Sequence, residues 1–439
     1  MTKFQKQMLT IAAAGALTAV TALPAMAFEN EFHGIFNFNA IFQNYSQSST
    51  AGITIGESAA VTSSRSDQIL EQRVRLQYIA KASDDLKLVT HFEINNAYGA
   101  KTTATVSTPS GGSSPDFAGS DLDTDGVNLM TKHAYLDFNI TKNINAKVGL
   151  QAYKDSIGGI LIDADVPGVY INTKVSGVDL GFGMARYNDY KLQTAAAGAV
   201  KQTGEDNEDL YSVDASYNLN KDTRIGASVY YNNDSTDETN KIEVATLALN
   251  GQTKIGDVTV KGFAAMQQGK NAHVDAKGQA YNIVAATKVA GGNLKVGYLY
   301  TSGDDTGTDN KGWVGSGVAS YNDSGMMFLI RNTGHNSTST GSFYKLFDMS
   351  NASLVHVNYD KMLTDKLGAV LTVGARWNNE ETTSADEKKG FVGTEVNGEV
   401  NYKLYPNMTV LAQAGYVSLA EKYTGVNPYS VRAGIRFSF

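Results

Sequence analysis

The sequence predicts an all-β fold, a transmembrane antiparallel up-and-down β-barrel of about 18 strands. Three observations predict it. Apolar and polar side chains alternate in segments of about ten residues, the length that crosses a bilayer at a tilt. Short and long connections between these segments alternate. Only 42% of the residues are hydrophobic, which a barrel tolerates because only every second residue of a strand meets lipid.

Residues 1–27 predict a secretory signal. Lys3 and Lys6 precede an apolar stretch, and Ala25-Met26-Ala27 supplies a small-residue cleavage site. A membrane-spanning helix is the alternative, but the apolar stretch is too short for one. The sequence has no cysteine, which excludes a lipid anchor at the cleavage point, a disulfide framework and haem attachment. We therefore expect a signal peptide over 1–27 and one barrel domain over 28–439.

The faces of the strands follow from their charged residues. The first predicted strand, 32–42, places phenylalanines on one face, and the second, 70–80, alternates apolar residues with Arg73 and Arg75. Because an arginine facing lipid at the bilayer midplane costs about 2–4 kcal/mol, the arginine face must be the lumen. The remaining predicted strands, in chain order, are 86–94, 134–140, 146–152, 169–175, 180–187, 211–219, 225–231, 242–249, 258–266, 281–289, 294–300, 355–362, 367–377, 392–402, 408–417 and 429–439.

The connections between the strands predict the orientation of the barrel. Short links such as 141–143 alternate with long ones such as 99–128 and 302–352. Short periplasmic turns and long extracellular loops are typical of outer-membrane barrels. The strand number has a range of about 16 to 20. Segments 326–331 and 341–347 could form one more hairpin, and two weak segments could fail.

The last predicted strand ends on an aromatic residue. Phe437 and Phe439 lie on its apolar face and resemble the assembly signal of Gram-negative outer-membrane proteins. Together with Ala25-Met26-Ala27, the opening segment 31–36 and the alternating strands, this pattern resembles the Gram-negative outer-membrane porin family. The resemblance implies localisation in the outer membrane of a Gram-negative bacterium. It also implies contact with outer-membrane lipids, lipopolysaccharide and the assembly machinery, and a homotrimer.

The size of the barrel bears on its function. Eight strands leave an interior that side chains fill, whereas 16–18 strands leave an aqueous channel. The resemblance therefore implies a porin, a water-filled channel for passive diffusion of small hydrophilic solutes and ions. The alternatives are a solute-specific outer-membrane channel and a mainly structural barrel.

Charge and histidine pattern speak against other classes of function. A net charge of −7 gives no support to nucleic-acid binding, which usually leaves a basic footprint. The six histidines form neither a Gly-x-Ser-x-Gly elbow nor a His-Glu-x-x-His pair. A barrel enzyme is therefore the least favoured alternative, and we expect no enzymatic activity.

The resemblance also implies that the third outer loop narrows the channel. That loop follows the strand 146–152, so it covers 153–168. Gly158-Gly159 permits a sharp bend, and Ile160-Leu161-Ile162 is too apolar for a loop left in water. We expect the loop to fold against the inner wall, and the loop 302–352 is the alternative constriction.

Three aspartates of this loop are candidate charged groups. The resemblance assigns Asp163 and Asp165 to the acidic side of the constriction. With Asp155 they could also offer the carboxylate oxygens that calcium needs. Their spacing matches no EF-hand loop, so we expect no cofactor, with calcium as a minor alternative.

Basic residues on the early strands would face these aspartates and set a transverse field across the channel. The alternative is that Arg73 and Arg75 merely pair with Glu71 or Glu93 on a polar wall. The predicted pore-lining residues are Arg73, Arg75, His91, Glu93, His133, Asp137, Lys147, Asp155, Asp163 and Asp165.

Overall fold

The computed structural model describes residues 29–44, 67–99, 106–107, 113–114, 122, 129–189, 207–235, 241–305, 309–316, 318–332, 347, 349–381, 388–423 and 427–439. The predicted signal peptide over 1–27 lies outside the described residues, as do large parts of the long loops. In the part of the chain that is described, no helix is long and apolar enough to cross a membrane.

Eighteen long strands of the described residues close into one antiparallel barrel. They are β1 Glu29–Gln43, β2 Asp67–Ser83, β3 Leu86–Ala97, β4 Leu129–Thr141, β5 Ile144–Lys154, β6 Asp163–Val175, β7 Val178–Asp189, β8 Asn207–Asn218, β9 Thr223–Asp234, β10 Ile242–Ile255, β11 Val258–Asn271, β12 Gln279–Val289, β13 Gly292–Thr301, β14 Ala352–Met362, β15 Leu367–Asn378, β16 Gly390–Tyr405, β17 Met408–Leu419 and β18 Tyr429–Ser438. Each strand pairs with the next, and β1 closes the ring on β18.

Two small pairings lie outside this ring. The short strand Val274–Ala276 pairs with the end of β11. Val106–Ser107 pairs with Ser113–Ser114 in a separate sheet. Neither adds a spanning strand.

The predicted fold class and strand number are confirmed. Each of the 18 predicted segments coincides with one of these strands, apart from a residue or more at the ends. The alternative extra hairpin does not form at 326–331, which contains no strand. Its other half, at 341–346, lies outside the described residues.

Tight turns join the strands at one end of the barrel. Eight connections there have two to four residues, whereas the connections at the other end are longer. Ser176-Gly177 and Ala290-Gly291 have positive φ at both positions, as in type I′ turns, whose twist matches that of a hairpin. The described chain starts and finishes at this short-turn end.

The outside of the barrel is apolar and exposed. In β9, Ile225 and Val229 point outward with 46% and 43% of their surface exposed, whereas Ser228 and Tyr230, on the other face of the strand, point inward and are buried. The same alternation leaves outward-facing Leu, Val, Ile, Phe and Tyr residues exposed around the whole ring. Such an apolar band would be unfavourable in water and is the surface that lipid covers.

The hydrophobic core lies inside the barrel. Two segments between strands pack there against buried residues of the wall. The first is the connection 155–162 between β5 and β6, which we call the inner loop. The second lies between β13 and β14, and we call its described residues 309–316 and 318–332 the inner segment. Both segments fold into the lumen and bury their apolar side chains there.

Candidate functional site

The inner loop is organised around one carboxylate. Asp155 accepts hydrogen bonds from the backbone amides of Ile157, Gly159, Leu161 and Ile162 at 2.7 to 2.9 Å. Burial raises the pKa of Asp155 to about 6, and these four amides limit the rise because they favour the charged form. Asp155 is therefore enclosed by its own loop and does not present its charge to the channel.

Two glycines allow the loop to bend around this carboxylate. Gly158 and Gly159 have φ values of 87° and 91°, a region that side chains with a Cβ rarely adopt. The bend carries Ile160 and Ile162 to complete burial. The inner loop thus folds against the lumen, as its apolar sequence predicts.

The inner loop is tied to the wall at β9. The Ser156 Oγ lies 2.6 Å from the Ser228 Oγ, and the Ser156 amide donates to the Tyr230 hydroxyl at 2.9 Å. Tyr230 in turn donates to Asp214 on β8 at 2.6 Å. This network fixes the loop on one side of the lumen.

The inner segment docks onto the inner loop. The indole nitrogen of Trp313 donates to the Ile160 carbonyl at 3.1 Å, and the Ser316 amide donates to the Leu161 carbonyl at 2.9 Å. Ser320 donates through its hydroxyl to Asp163 at 2.6 Å. The two segments therefore form one unit inside the barrel.

A buried glutamate holds the inner segment against the opposite wall. Glu395, on β16, is fully buried and accepts from the amides of Met327, Phe328 and Leu329 at 2.6, 3.1 and 3.0 Å. Asn397 donates to the same carboxylate at 2.7 Å. Four donors around one carboxylate favour its charged form and make these charge-assisted bonds.

Further wall residues bind the backbone carbonyls of the same chain stretch. Arg376, on β15, is fully buried and donates to the carbonyls of Leu329 and Ser350 at 2.9 and 3.1 Å. Asn358, on β14, donates to the Ser324 carbonyl at 2.7 Å. Donors and acceptors of the inner segment are thus satisfied by the wall, as burial requires.

Glycines in the wall make room for the apolar side chains. A Cβ on Gly415 would lie 2.7 Å from the sulfur of Met327 and 2.8 Å from the ring of Phe328. A Cβ on Gly374 would lie 2.4 Å from the terminal methyl of Met326. The inward face of β14–β17 is therefore shaped for the inner segment, and we call this region the packed half.

Open space remains beneath the inner loop. A cavity of about 900 Å³ opens toward the short-turn end. Lysine, arginine, aspartate and amide side chains dominate its lining. Among its charged residues are Lys142, Lys154, Lys174, Asp179, Asp214, Arg224, Lys261 and Asp323. Polar side chains of this kind are what the wall of a water-filled passage presents.

Charged side chains recur along the wall formed by the inward faces of β18 and β1–β6, which we call the charged half. Arg75 bonds Glu93 directly across the β2–β3 ladder, and Arg73 lies 3.4 Å from the same carboxylate. Asn95 accepts from Arg73 at 2.7 Å. Arg73 and Arg75 therefore pair with Glu93, as the alternative to the transverse field predicts.

More guanidinium groups follow on β18. Arg432 is buried, and Arg436 is partly exposed. Their nearest atoms lie 3.9 and 3.7 Å from the Glu399 carboxylate. Glu71 is buried on the neighbouring wall and accepts from Asn39 at 3.0 Å. The charged half thus continues across the closure of the barrel between β18 and β1.

Two predicted residues of β4 and β5 stand opposite each other. Asp137 and Lys147 are register partners. The Asp137 carboxylate lies 3.3 Å from the Lys87 amine and accepts from Asn145 at 2.7 Å. Lys147 lies over the Tyr135 ring at 6.0 Å.

His91, His133 and Asp165 form a further cluster. The Nδ1 atoms of His91 and His133 lie 3.2 Å apart, and the His133 Nε2 lies 2.8 Å from Asp165. Lys132 also pairs with Asp165. Asp165 therefore contacts the basic wall directly instead of facing it across the channel.

The three aspartates proposed for calcium do not converge. Asp155 binds loop amides, Asp165 binds Lys132 and His133, and Asp163 binds Lys154 at 3.0 Å together with the inner segment. A calcium site needs several oxygens around one point. Among the described residues, no group of three or more histidine, aspartate or glutamate side chains is placed to hold a metal ion.

Sequence reasoning missed the residues that hold the inner segment. Glu395 and Arg376 lie on the inward face of their strands, where a polar side chain is expected in any wide barrel. The distinguishing signal lies in the apolar run 326–330 inside a long loop. A run of that kind needs buried partners, and nothing in the local sequence indicates which wall supplies them.

The chain is similar to solved structures from two bacteria. OccK9 (OpdG) of Pseudomonas aeruginosa matches with a TM-score of 0.58 at 13% identity, over 94% of this chain and 98% of that chain. OccAB4 of Acinetobacter baumannii matches with a TM-score of 0.57 at 12% identity, over 95% of this chain and 100% of that chain. OpdK of Pseudomonas aeruginosa with vanillate matches with a TM-score of 0.57 at 11% identity, over 93% of this chain and 98% of that chain.

Sequence comparison adds no relative. No family model matches the chain, and no curated protein is similar to it in sequence. At identities this low, the likeness to solved structures is one of fold. OpdK is an outer membrane protein of Pseudomonas aeruginosa. Its likeness to this chain confirms the fold that the resemblance to outer-membrane porins implies.

Proposed function

We propose that this chain is a porin of the Gram-negative outer membrane, which lets small hydrophilic solutes and ions diffuse passively through a water-filled passage. The observation that carries the proposal is a closed 18-strand barrel with an apolar outside and a charged, partly open inside. A barrel of this size is too wide for wall side chains alone to fill.

The passage runs along the charged half and into the cavity beneath the inner loop. The packed half offers no such route, because wall residues such as His356 and Thr372 are covered. A solute in the passage meets the guanidinium groups of Arg75 and Arg436, which keep part of their surface exposed. One unit charge at 8 Å contributes about 0.5 kcal/mol in bulk water and roughly 2 kcal/mol at an effective dielectric near 20. Energies of that size bias passage without holding the solute.

A solute-specific channel is the second candidate. Two observations favour it. The inner loop and inner segment bury their apolar side chains inside the lumen and so narrow the passage. OpdK, which shares the fold, was solved with vanillate, a small aromatic carboxylate that arginines such as Arg73 and Arg75 could attract. A solute-specific channel would show saturable flux and a drop in conductance when such a solute binds.

Several further properties belong to this proposal. Phe437 and Phe439 would serve as the assembly signal at the end of β18, in contact with the assembly machinery. Lipids and lipopolysaccharide would cover the apolar band, and the functional unit would be a homotrimer. Chemical cross-linking in native membranes would show a three-chain product, and a single-chain product alone would speak against the trimer.

Single-channel recording in a planar lipid bilayer tests the proposed function. Folded protein should give stable, stepwise openings, and a salt gradient gives the sign of the ion selectivity. Unselective, unsaturable conductance supports a diffusion porin, whereas block by a small carboxylate at low concentration supports the solute-specific channel. Silence from protein that has the heat-dependent gel mobility of a folded barrel would contradict both and favour a structural or enzymatic barrel.

A further inference from the structure

Two histidines meet in the charged half of the lumen. His91 on β3 and His133 on β4 are direct register partners. Their Nδ1 atoms lie 3.2 Å apart, and their rings are inclined at 61°. A pair of imidazole nitrogens this close requires a shared proton or a shared cation, because two lone pairs at that distance repel each other.

The proton positions of His133 are restrained by a carboxylate. Asp165 lies 2.8 Å from the His133 Nε2, and a carboxylate accepts hydrogen bonds, so Nε2 carries the proton. Neutral His133 then presents the lone pair of Nδ1 to His91. Metal-binding histidines commonly donate their other ring N–H to a carboxylate in this way, which fixes the tautomer and raises the basicity of the ligating nitrogen.

We propose that His91 and His133 form a two-imidazole site for a transition-metal dication such as Cu²⁺, Zn²⁺ or Ni²⁺, with Asp165 as the residue that positions His133. Metal–nitrogen bonds are about 2.0–2.1 Å long. An ion bonded to both Nδ1 atoms at their observed separation of 3.2 Å would therefore have a nitrogen–metal–nitrogen angle of about 100°. That angle lies between those of square and tetrahedral coordination. Imidazole suits these metals, and Cu²⁺ binds most tightly among the common divalent ions.

The surroundings limit the affinity of this site. Arg75 and Lys132 are nearby cations that oppose a bound dication, although Arg75 pairs with Glu93 and Lys132 pairs with Asp165. Among the described residues, no third histidine or carboxylate completes the site. Water fills the remaining positions, so the metal exchanges with the medium and is not a permanent part of the fold.

The competing account is a plain hydrogen bond, in which the His91 Nδ1 carries a proton and donates it to the His133 Nδ1. The two accounts differ in one measurable property. A metal is bound through both nitrogens, so each histidine is needed. A hydrogen-bonded pair leaves metal binding no stronger than at any exposed histidine.

Copper titration of tag-free protein in detergent at neutral pH tests the proposal, with electron paramagnetic resonance as the readout. The expected result is one Cu²⁺ with two nitrogen ligands, reduced to one nitrogen in either His91→Ala or His133→Ala. The Asp165→Asn variant should weaken binding roughly 10–100-fold, as other losses of an orienting carboxylate do. The exposed His33, which pairs with Glu31 on β1, provides the matched control His33→Ala, which should bind as the unaltered protein does.

Heat-dependent gel mobility verifies that each variant is folded. Unchanged two-nitrogen binding in the His91→Ala/His133→Ala double variant would overturn the proposal, as would failure of the unaltered protein to bind Cu²⁺ more tightly than that double variant. The test does not depend on conduction, so it can succeed or fail separately from the proposed channel function. If the protein is a channel, added Cu²⁺ should also lower its conductance, and the double variant should be insensitive.

Discussion

The two halves of the barrel interior use the same alternation of strand residues for different ends. In the packed half, inward-facing Glu395 and Arg376 are completely buried because they bind the backbone of the inner segment. In the charged half, inward-facing Arg75 and Glu93 bind each other and keep part of their surface exposed. The first pair therefore fixes a filling segment, whereas the second pair lines the wall of the lumen, and their hydrogen-bond partners show the difference.

This difference has an energetic basis. A buried carboxylate is costly unless donors surround it, and Glu395 has three backbone amides and Asn397. Pairs such as Arg75–Glu93 have a lower desolvation penalty, since water still reaches them. We expect substitutions in the packed half to alter docking and substitutions in the charged half to alter selectivity.

The largest effect is expected from Glu395→Gln. This isosteric change removes the charge and turns one acceptor into a donor that faces backbone amides. Losing charge-assisted hydrogen bonds costs about 1.5–3 kcal/mol each, so the inner segment should detach for part of the time. Single-channel conductance should rise with added noise, and protease should cut the inner segment faster.

Glu399→Gln is the matched control on the same strand. Glu399 also faces inward, but its neighbours are Arg432 and Arg436 rather than the inner segment. It should alter ion selectivity without exposing the inner segment to protease. Equal protease resistance in Glu395→Gln and the unaltered protein would refute the docking role of Glu395.

The second-largest effect is expected from pH, which should change the stability of the inner loop. The pKa of Asp155 is about 6 in the folded protein and about 3.9 when the loop is unfolded. The folded form therefore binds the proton more tightly, so loop stability is fully present below about pH 4 and declines as the pH rises through 6, by up to about 3 kcal/mol.

Protease susceptibility of the loop, measured with an acid-tolerant and a neutral protease across that range, checks this sign. Asp155→Asn should make the profile flat between pH 4 and 7. A loop that becomes less stable on acidification in the unaltered protein would contradict the raised pKa and indicate that the four amides dominate.

A smaller effect is expected from adding a methyl group to the wall of the packed half. Gly415→Ala places a Cβ within 2.8 Å of Met327 and Phe328, and such overpacking costs about 1–3 kcal/mol. Gly181→Ala is the control in the other part of the lumen, where the nearest atoms lie at 3.4 and 3.7 Å. Thermal unfolding should separate the two variants, and equal melting temperatures would show that the inner segment is not packed on β17.

The smallest change is expected from the two aspartates at the start of β6. Asp163→Asn and Asp165→Asn each remove a negative charge from the lumen, so the reversal potential in a salt gradient should shift toward anion preference. Each substitution also leaves a lysine without its carboxylate partner, Lys154 at position 163 and Lys132 at position 165. Absence of any shift in both variants would mean that ions pass elsewhere.

Much of the fold could be predicted from the sequence because strand alternation is local. Residues 225–231 and 429–439 reveal their faces within a few positions, and tight turns mark the ends. The filling of the lumen could be predicted only in part. The apolar Ile160-Leu161-Ile162 indicates its own burial, whereas the bond between Glu395 and the amide of Met327 joins residues 68 positions apart.

The candidate charged residues show the same limit. The alternation of strand residues placed Arg73, Glu93 and His133 on the lumen face, but it could not identify the residues with which they pair. Register decides that Glu93 stands opposite Arg75 and that His91 stands opposite His133. Asp155 carried no sign in the sequence that its carboxylate would bind its own loop.

Cysteine accessibility tests the contrast between the open cavity and the packed half most directly, because the sequence contains no cysteine. Ser216→Cys places a thiol at the cavity, whereas Thr372→Cys places one on the inward face of the packed half, where Thr372 is 1% exposed. A charged methanethiosulfonate reagent should reduce the current through Ser216→Cys channels and leave Thr372→Cys channels unchanged. Rapid reaction at residue 372, or none at residue 216, would contradict a passage confined to the unfilled side of the barrel.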